Sequence, residues 1–229
     1  MKNKLIIFGN GEIAELANYY FSNFTSFNVL GFTVDQEYIK EDTFCKKPIV
    51  PFENIEDNYN KSDVFFHVAL SYKKLNKIRE KKFLEVKSKG FNLASFISQK
   101  SNFDINAFSY GENCFILENQ TIQKNVKIGD NVMIWSSNHL GHGSLIGDHT
   151  YISSHVVISG HCKIGKRCFF GVNSSTADFT NIGDDVFAGM GTSVASNVKS
   201  GSVILNDKSK IYSEDNRISK MILKKYFKF

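Results

Sequence analysis

Two histidines lie within four residues of each other in Asn138-His139-Leu140-Gly141-His142-Gly143, and His161 follows 19 positions after His142. An unperturbed imidazole titrates near pH 6.5. A histidine can therefore take a proton from an attacking amine or hydroxyl close to neutrality and return it to a leaving group. Three imidazoles are also a zinc ligand set, so the same residues carry a second reading. A different chemistry is written at the start of the chain, where Gly9-x-Gly11-x-x-Ala14 follows an apolar run and Asp35 stands 21 residues after Ala14. Between a strand and a helix, such glycines let the backbone approach a phosphate, and the acid can hold a ribose. Taken alone, this is the pattern of a dinucleotide site, and an NAD-dependent dehydrogenase has to be weighed.

The elements around the glycine loop alternate strand and helix. Residues 4–8 read as a buried strand, 11–21 as a helix, 27–34 and 64–72 as strands, 73–89 as a charged amphipathic helix and 91–97 as a strand. That grammar implies a small parallel sheet. Pro48 and Pro51 bracket Ile49-Val50, an extended segment suited to an edge or a connector. About 98 residues barely supply one mononucleotide-binding half, and no second domain of oxidoreductase type follows. The dehydrogenase reading weakens accordingly.

The three histidines belong to a stretch with a period of six. Residues 116–199 divide into fourteen hexads without an insertion, and eleven of the first positions, from Ile116 and Ile122 to Val194, are Ile, Leu or Val. From Gly141 onward the second positions are Gly, Ser or Ala, and the fifth positions favour small or β-branched residues such as Val126, Val156, Cys162 and Cys168. No α-helix produces this pattern. One large aliphatic, one small corner residue and one small inward residue per hexad describe a triangular prism, in which three hexads close one coil. The fourteen hexads make about 4.7 coils, enough for each aliphatic layer to be buried by the next. Residue 160 then stacks on residue 142, which brings His139, His142 and His161 toward one edge. His149 and His155 read as surface residues of the same prism, and Cys162 and Cys168 as inward packing.

Composition narrows the setting. With 42% hydrophobic and 22% charged residues in 229, the chain can bury a core without disulfides or metals. Its four cysteines show no CxxC spacing, which argues for reduced thiols rather than a zinc ribbon or a redox motif. No apolar run approaches a membrane span, and the short run after Met1-Lys2-Asn3-Lys4 is too brief for a signal peptide, so a cytoplasmic protein is expected. The net charge of +5 owes part of its excess to Lys224, Lys225 and Lys228, which gives little support for nucleic-acid binding and suits an anionic small ligand equally well. Residues 213–229 read as a helix with Ser213 as N-cap, packed on the last coil.

The hexads resemble the hexapeptide-repeat acyltransferases, and with the βαβ unit in front the chain up to about residue 206 resembles the bacterial NeuD/PglD-type sugar acyltransferases. The resemblance implies a fold of class α/β plus β-solenoid. A small Rossmann-like nucleotide-sugar-binding domain (1–98) would precede a left-handed parallel β-helix (99–212) and a helical tail (213–229). It implies an acetyl-CoA-dependent N-acetyltransferase acting on a UDP- or dTDP-linked amino-deoxy sugar, such as a 4-amino-4,6-dideoxyhexose, in surface-glycan synthesis. O-acetylation of a sialic acid is the second option. His142 would be the general base, with His139 and His161 beside it, and the Gly160 amide would hold the oxyanion. Coenzyme A would lie along Tyr151, Gly160, Val172 and Met190, with Lys208 and Lys210 near its phosphates. Gly9, Asn10, Gly11 and Glu12 would face the sugar or phosphates, Asp35 the base or ribose, and Ser71 and Tyr72 would complete that pocket. Active sites between subunits imply a homotrimer. Metal-binding relatives of this fold space their histidines differently, so no metal is expected. The chain departs from its relatives at three points: Gly143 stands where an acid commonly follows the catalytic histidine, Tyr151 replaces a histidine, and a terminal G-x-P-A-K segment is missing.

Overall fold

The structure is a computed structural model describing residues 3–101, 103–207 and 210–227. Its first part is a mainly parallel sheet of six strands. Strands β1 (Lys4–Phe8), β2 (Asn28–Val34), β3 (Thr43–Phe44), β4 (Lys47–Pro51), β5 (Val64–Val68) and β6 (Asn92–Leu93) are ordered β3-β4-β2-β1-β5-β6. Only the β3–β4 pair is antiparallel. Helices α1 (Glu12–Phe24), α2 (Ile55–Asn58) and α3 (Lys77–Ser88) connect the strands. The segment between the two prolines thus joins the sheet as β4, paired with β2. The order reverses between β1 and β5, whose carboxyl ends carry the loops at 9–11 and 69–73.

Two expected elements are shorter than their patterns. Helix α3 begins at Lys77 because Lys74, Leu75 and Asn76 take positive φ of 51°, 50° and 63°, a left-handed turn that no α-helix continues. The strand expected at 91–97 splits into β6 and β7 (Phe96–Ile97), which belong to different sheets.

From β7 the chain winds as a parallel β-helix of two-residue strands. Each regular strand pairs with the one a full coil of three hexads further on, as in Lys127 with Leu145 and Lys163 with Asn181. Three sheets of four, seven and five strands form the prism. The seven-stranded sheet extends past the regular hexads at both ends, through β7 and through Val203–Ile204, the latter pairing with Phe187–Ala188 across a shortened coil. The first positions, such as Ile116, Leu140, Ile152 and Phe170, and the fifth positions, such as Val126, Cys162 and Val186, are buried together. Burial pushes the Cys114 thiol up to about 12 and the Cys168 thiol up to about 11, consistent with inert packing residues.

The structure separates two roles that the sequence merges in one corner residue. The second position is small because the next coil's backbone lies over it: a Cβ on Gly141 would stand 2.5 Å from the Gly160 nitrogen. The turn is made at the fourth position, where Asn119, Asn125, Asn131, His149, His155, His161, Asn173 and Asp185 have φ between 55° and 65°. Asn, Asp and His tolerate this region better than most residues.

The two parts share a core in which Leu5, Ile7 and Phe21 of the first pack with Phe96, Phe115, Met133 and Tyr151 of the seven-stranded face. Helix α3 closes the neighbouring corner. Its Arg79, fully buried, donates to the carbonyls of Asn131 (2.7 Å) and His149 (2.9 Å) and to Asn76 Oδ1 (3.0 Å). Arg167 links Glu80 of α3 with Asp185 one coil above. The tail helix α4 (Arg217–Phe227) starts later than expected, because Asn216 rather than Ser213 bonds the first-turn amide, that of Ile218. Ile211, Met221 and Ile222 of the tail are exposed. Among the described residues no helix is long and apolar enough to cross a membrane.

Candidate functional site

His142 occupies the corner between the five- and four-stranded sheets, just after strand His139–Leu140. The side chain is exposed. Its Nδ1 lies 3.0 Å from Oε1 of Gln123, which also accepts from the His142 backbone N–H at 2.8 Å. His161 is set perpendicular to the His142 ring, with centroids 4.7 Å apart, and stacks in turn on the exposed ring of Phe179. Coil stacking therefore brings His142 and His161 together as the register predicts. His139 points from the flat five-stranded face in the column of Thr121 and Val157, and no contact joins it to the other two. Among the described residues no three His, Cys, Asp or Glu side chains are grouped as a metal ion would need. The three-histidine ligand set is not assembled.

Gly160 lies over His142, and its lack of a side chain makes room for the imidazole: a Cβ there would meet His142 Cε1 at 2.9 Å and Nε2 at 3.2 Å. The Gly160 N–H is not free as an oxyanion donor would be. It donates to Asp178 Oδ1 at 2.7 Å, repeating the way Asp130, Asp148 and Asp184 satisfy the corner amides of Glu112, Asp130 and Lys166. Gln123 and Asp178 were missed by the sequence reading, although Asp178 sits one coil above Gly160 and Gln123 about one coil below His142. Counting one coil down as well as up would have found them.

The coenzyme positions expected from the resemblance disperse. Val172 and Met190 stack one coil apart and are exposed, but on the corner at the other side of the five-stranded face from His142. Tyr151 is buried beneath the front part, stacked on Phe169 and edge-on to Tyr72, and its desolvated hydroxyl is pushed up to about 12. It is a packing residue here because its column is the one the front sheet covers. Lys210 is exposed, and Lys208 lies outside the described residues.

In the front part, Asn10, Gly11, Glu12, Ile13, Ser71 and Lys73 help line a crevice of about 390 Å³. It opens where the strand order reverses, the usual ligand position in an open parallel sheet. Gly9 permits the turn: its φ is +137°, and a Cβ would stand 2.8 Å from the Ala69 carbonyl oxygen. Helix α1 begins at this crevice without a side-chain cap, which leaves first-turn amides for an anion. Asp35 does not line it; its carboxylate is paired with Lys82 at 2.7 Å. Tyr72 likewise turns away, onto Tyr151 and Phe169. A larger, open cleft of about 680 Å³ between Lys163, Asn181 and Lys199 marks where the shortened last coil leaves the four-stranded face, and it holds none of the expected site residues.

No protein-family model matches the chain, and no curated protein matches it by sequence. Solved structures do share its fold over nearly its whole length. The acetyltransferase domain of PglB from Neisseria gonorrhoeae FA1090, also solved with acetyl coenzyme A, is 17% identical with a TM-score of 0.77, over 88% of this chain and 95% of that one. PerB from Caulobacter crescentus, in complex with CoA and GDP-perosamine, is 18% identical with a TM-score of 0.78, over 92% and 97%. The chain thus has the fold of these acetyltransferases, a small Rossmann-like sheet followed by a left-handed parallel β-helix and a short C-terminal helix.

Proposed function

We propose that the protein is an acetyl-CoA-dependent N-acetyltransferase acting on a nucleotide-linked amino-deoxy sugar, with His142 as general base. The observation that carries this reading is an exposed imidazole whose Nδ1 is held by Gln123 while Nε2 stays open beneath Gly160. PglB and PerB, which share the fold, are described as an acetyltransferase domain with acetyl coenzyme A and as a protein bound to CoA and GDP-perosamine. The crevice lined by residues 10–13, 69–71 and Lys73 supplies helix amides and the Lys73 ammonium for the diphosphate of the nucleotide sugar.

In this mechanism the amine attacks the thioester carbonyl as His142 Nε2 takes its proton. The C–S bond then breaks and the proton passes to the departing sulfur, leaving an amide and free coenzyme A. The Gly160 amide serves the oxyanion once the exposed Asp178 carboxylate yields its place to the carbonyl oxygen. Val172 and Met190 lie across the five-stranded face from His142, so in this mechanism coenzyme A bridges His142 of one copy and these residues of a neighbour, in a homotrimer with sites between subunits. The sugar is taken to be a 4-amino-4,6-dideoxyhexose on UDP or dTDP, destined for a surface glycan.

The test is thiol release from acetyl-CoA with a panel of UDP- and dTDP-linked amino-deoxyhexoses. Turnover is expected with at least one, falling by roughly 10²- to 10⁴-fold in His142→Ala. Turnover with a sialic acid alone would replace the amine by a hydroxyl acceptor. Silence with every acceptor would overturn the reading.

A further inference from the structure

We propose that Gln123 is the positioning residue of His142, doing from the coil below what an acidic neighbour would do from position 143; the inference rests on the acyl-transfer reading of this corner. A backbone N–H can only donate, so the Gln123 atom 2.8 Å from the His142 nitrogen is the amide oxygen. The same oxygen lies 3.0 Å from Nδ1. Nδ1 therefore carries the ring proton, and Nε2 keeps its lone pair for the nucleophile.

The space above the position after His142 is taken by the His161 ring. Gly143 has a φ of +67°, and a Cβ there would stand 2.7 Å from Nδ1 and 2.9 Å from Cε1 of His161. His161 stands between the ring of His142, perpendicular to it, and the ring of Phe179, parallel to it. The space beside the catalytic ring is thus filled by a second aromatic ring, and the acceptor for Nδ1 comes from the preceding coil.

A neutral amide has a distinct chemical consequence. It fixes the tautomer without offering a negative charge to the imidazolium, so the proton gained at Nε2 is held only until sulfur takes it. No charge remains on the enzyme at the end of the cycle.

The experiment is ¹⁵N-detected imidazole NMR of the full chain near pH 8, with His142 assigned by its loss in His142→Ala, alongside kinetics of the variants. Native His142 should show a protonated Nδ1 and an unprotonated Nε2. Gln123→Met, similar in length but lacking the oxygen, should shift His142 toward the Nε2–H form. Its kcat should fall by roughly 10- to 100-fold with KM for acetyl-CoA unchanged. Gln123→Glu, which restores an acceptor, should recover the Nδ1–H form and kcat within about threefold of native. A native ring protonated on Nε2, or a Gln123→Met protein with native tautomer and kcat, would overturn the proposal. The NMR result does not depend on the acceptor, so a silent acetylation assay with the expected tautomers counts against the acyl-transfer reading alone.

Discussion

His149 and His161 hold the same fourth position of the hexad with nearly the same backbone, φ 64° and 55°, yet they stand at corners of opposite character. The corner at His149 is covered by α3. There the Val68 N–H donates to Asn113 Oδ1, Asn113 Nδ2 donates to Asn131 Oδ1, and Asn131 Nδ2 donates to His149 Nδ1. Each amide's orientation is fixed by the one before it, so His149 must carry its proton on Nε2, 3.5 Å from the Glu80 carboxylate. The corner at His161 is open, and its neighbour His142 is locked in the other tautomer by Gln123. The repeat sets where the backbone turns. What lies against the turn sets whether the imidazole is buried in the packing or left open to solvent.

The contrast breaks most severely at Arg79. Arg79→Met keeps most of the side-chain volume but strands the carbonyls of Asn131 and His149 beneath α3. Urea unfolding should show a loss of about 3–5 kcal/mol. A normal midpoint would mean that α3 is held by packing alone.

Acid separates buried from open histidines more gently. Burial between the rings of Phe21 and Phe115 pulls His67 down to about 4, and burial also lowers His149. An unfolded histidine titrates near 6.5. The unfolded chain therefore binds the proton first, so this contribution to stability is complete above that pH and drains away as pH falls toward 4. For His67 the loss is at most about 3 kcal/mol. His67→Phe should flatten the slope of stability against pH in this window, measured by denaturant midpoints at successive pH values.

The smallest effect sharpens the open corner. Gly160→Ala puts a methyl against Cε1 and Nε2 of His142, so the ring must turn. Acyl transfer should fall roughly tenfold, a modest share of what misplacing a reacting group can cost, while the thermal midpoint moves little. A large drop in that midpoint would show that the coil, rather than the imidazole, needs the glycine.

Much of the solenoid was legible because its rule is local and repeated: Ile116 to Val194 mark the inner edge at a fixed interval, and the stacking of coil on coil followed from it. The βαβ grammar and the crevice at Asn10 to Glu12 were legible for the same reason. The fates of Asp35, Tyr72 and Tyr151 were not. They depend on Lys82 and on the front sheet covering the seven-stranded face, contacts between segments that no local period encodes. Gln123 and Asp178 lie between these cases, since the register located them but an amide and an acid at a solenoid corner look like ordinary surface residues.

The uniform coil also works as a ruler. Gln123, His142 and His161 follow one another at the same interval, a coil plus one step, so the site is specified by arithmetic along the chain rather than by a unique scaffold. A whole extra coil of three hexads spliced below Gln123 would lengthen the prism by one layer and carry the three residues upward as a set. A single residue added between 124 and 141 would slide His142 off its partner and put every inward side chain above it out of phase. For a molecule built this way, length is cheap to change and phase is not.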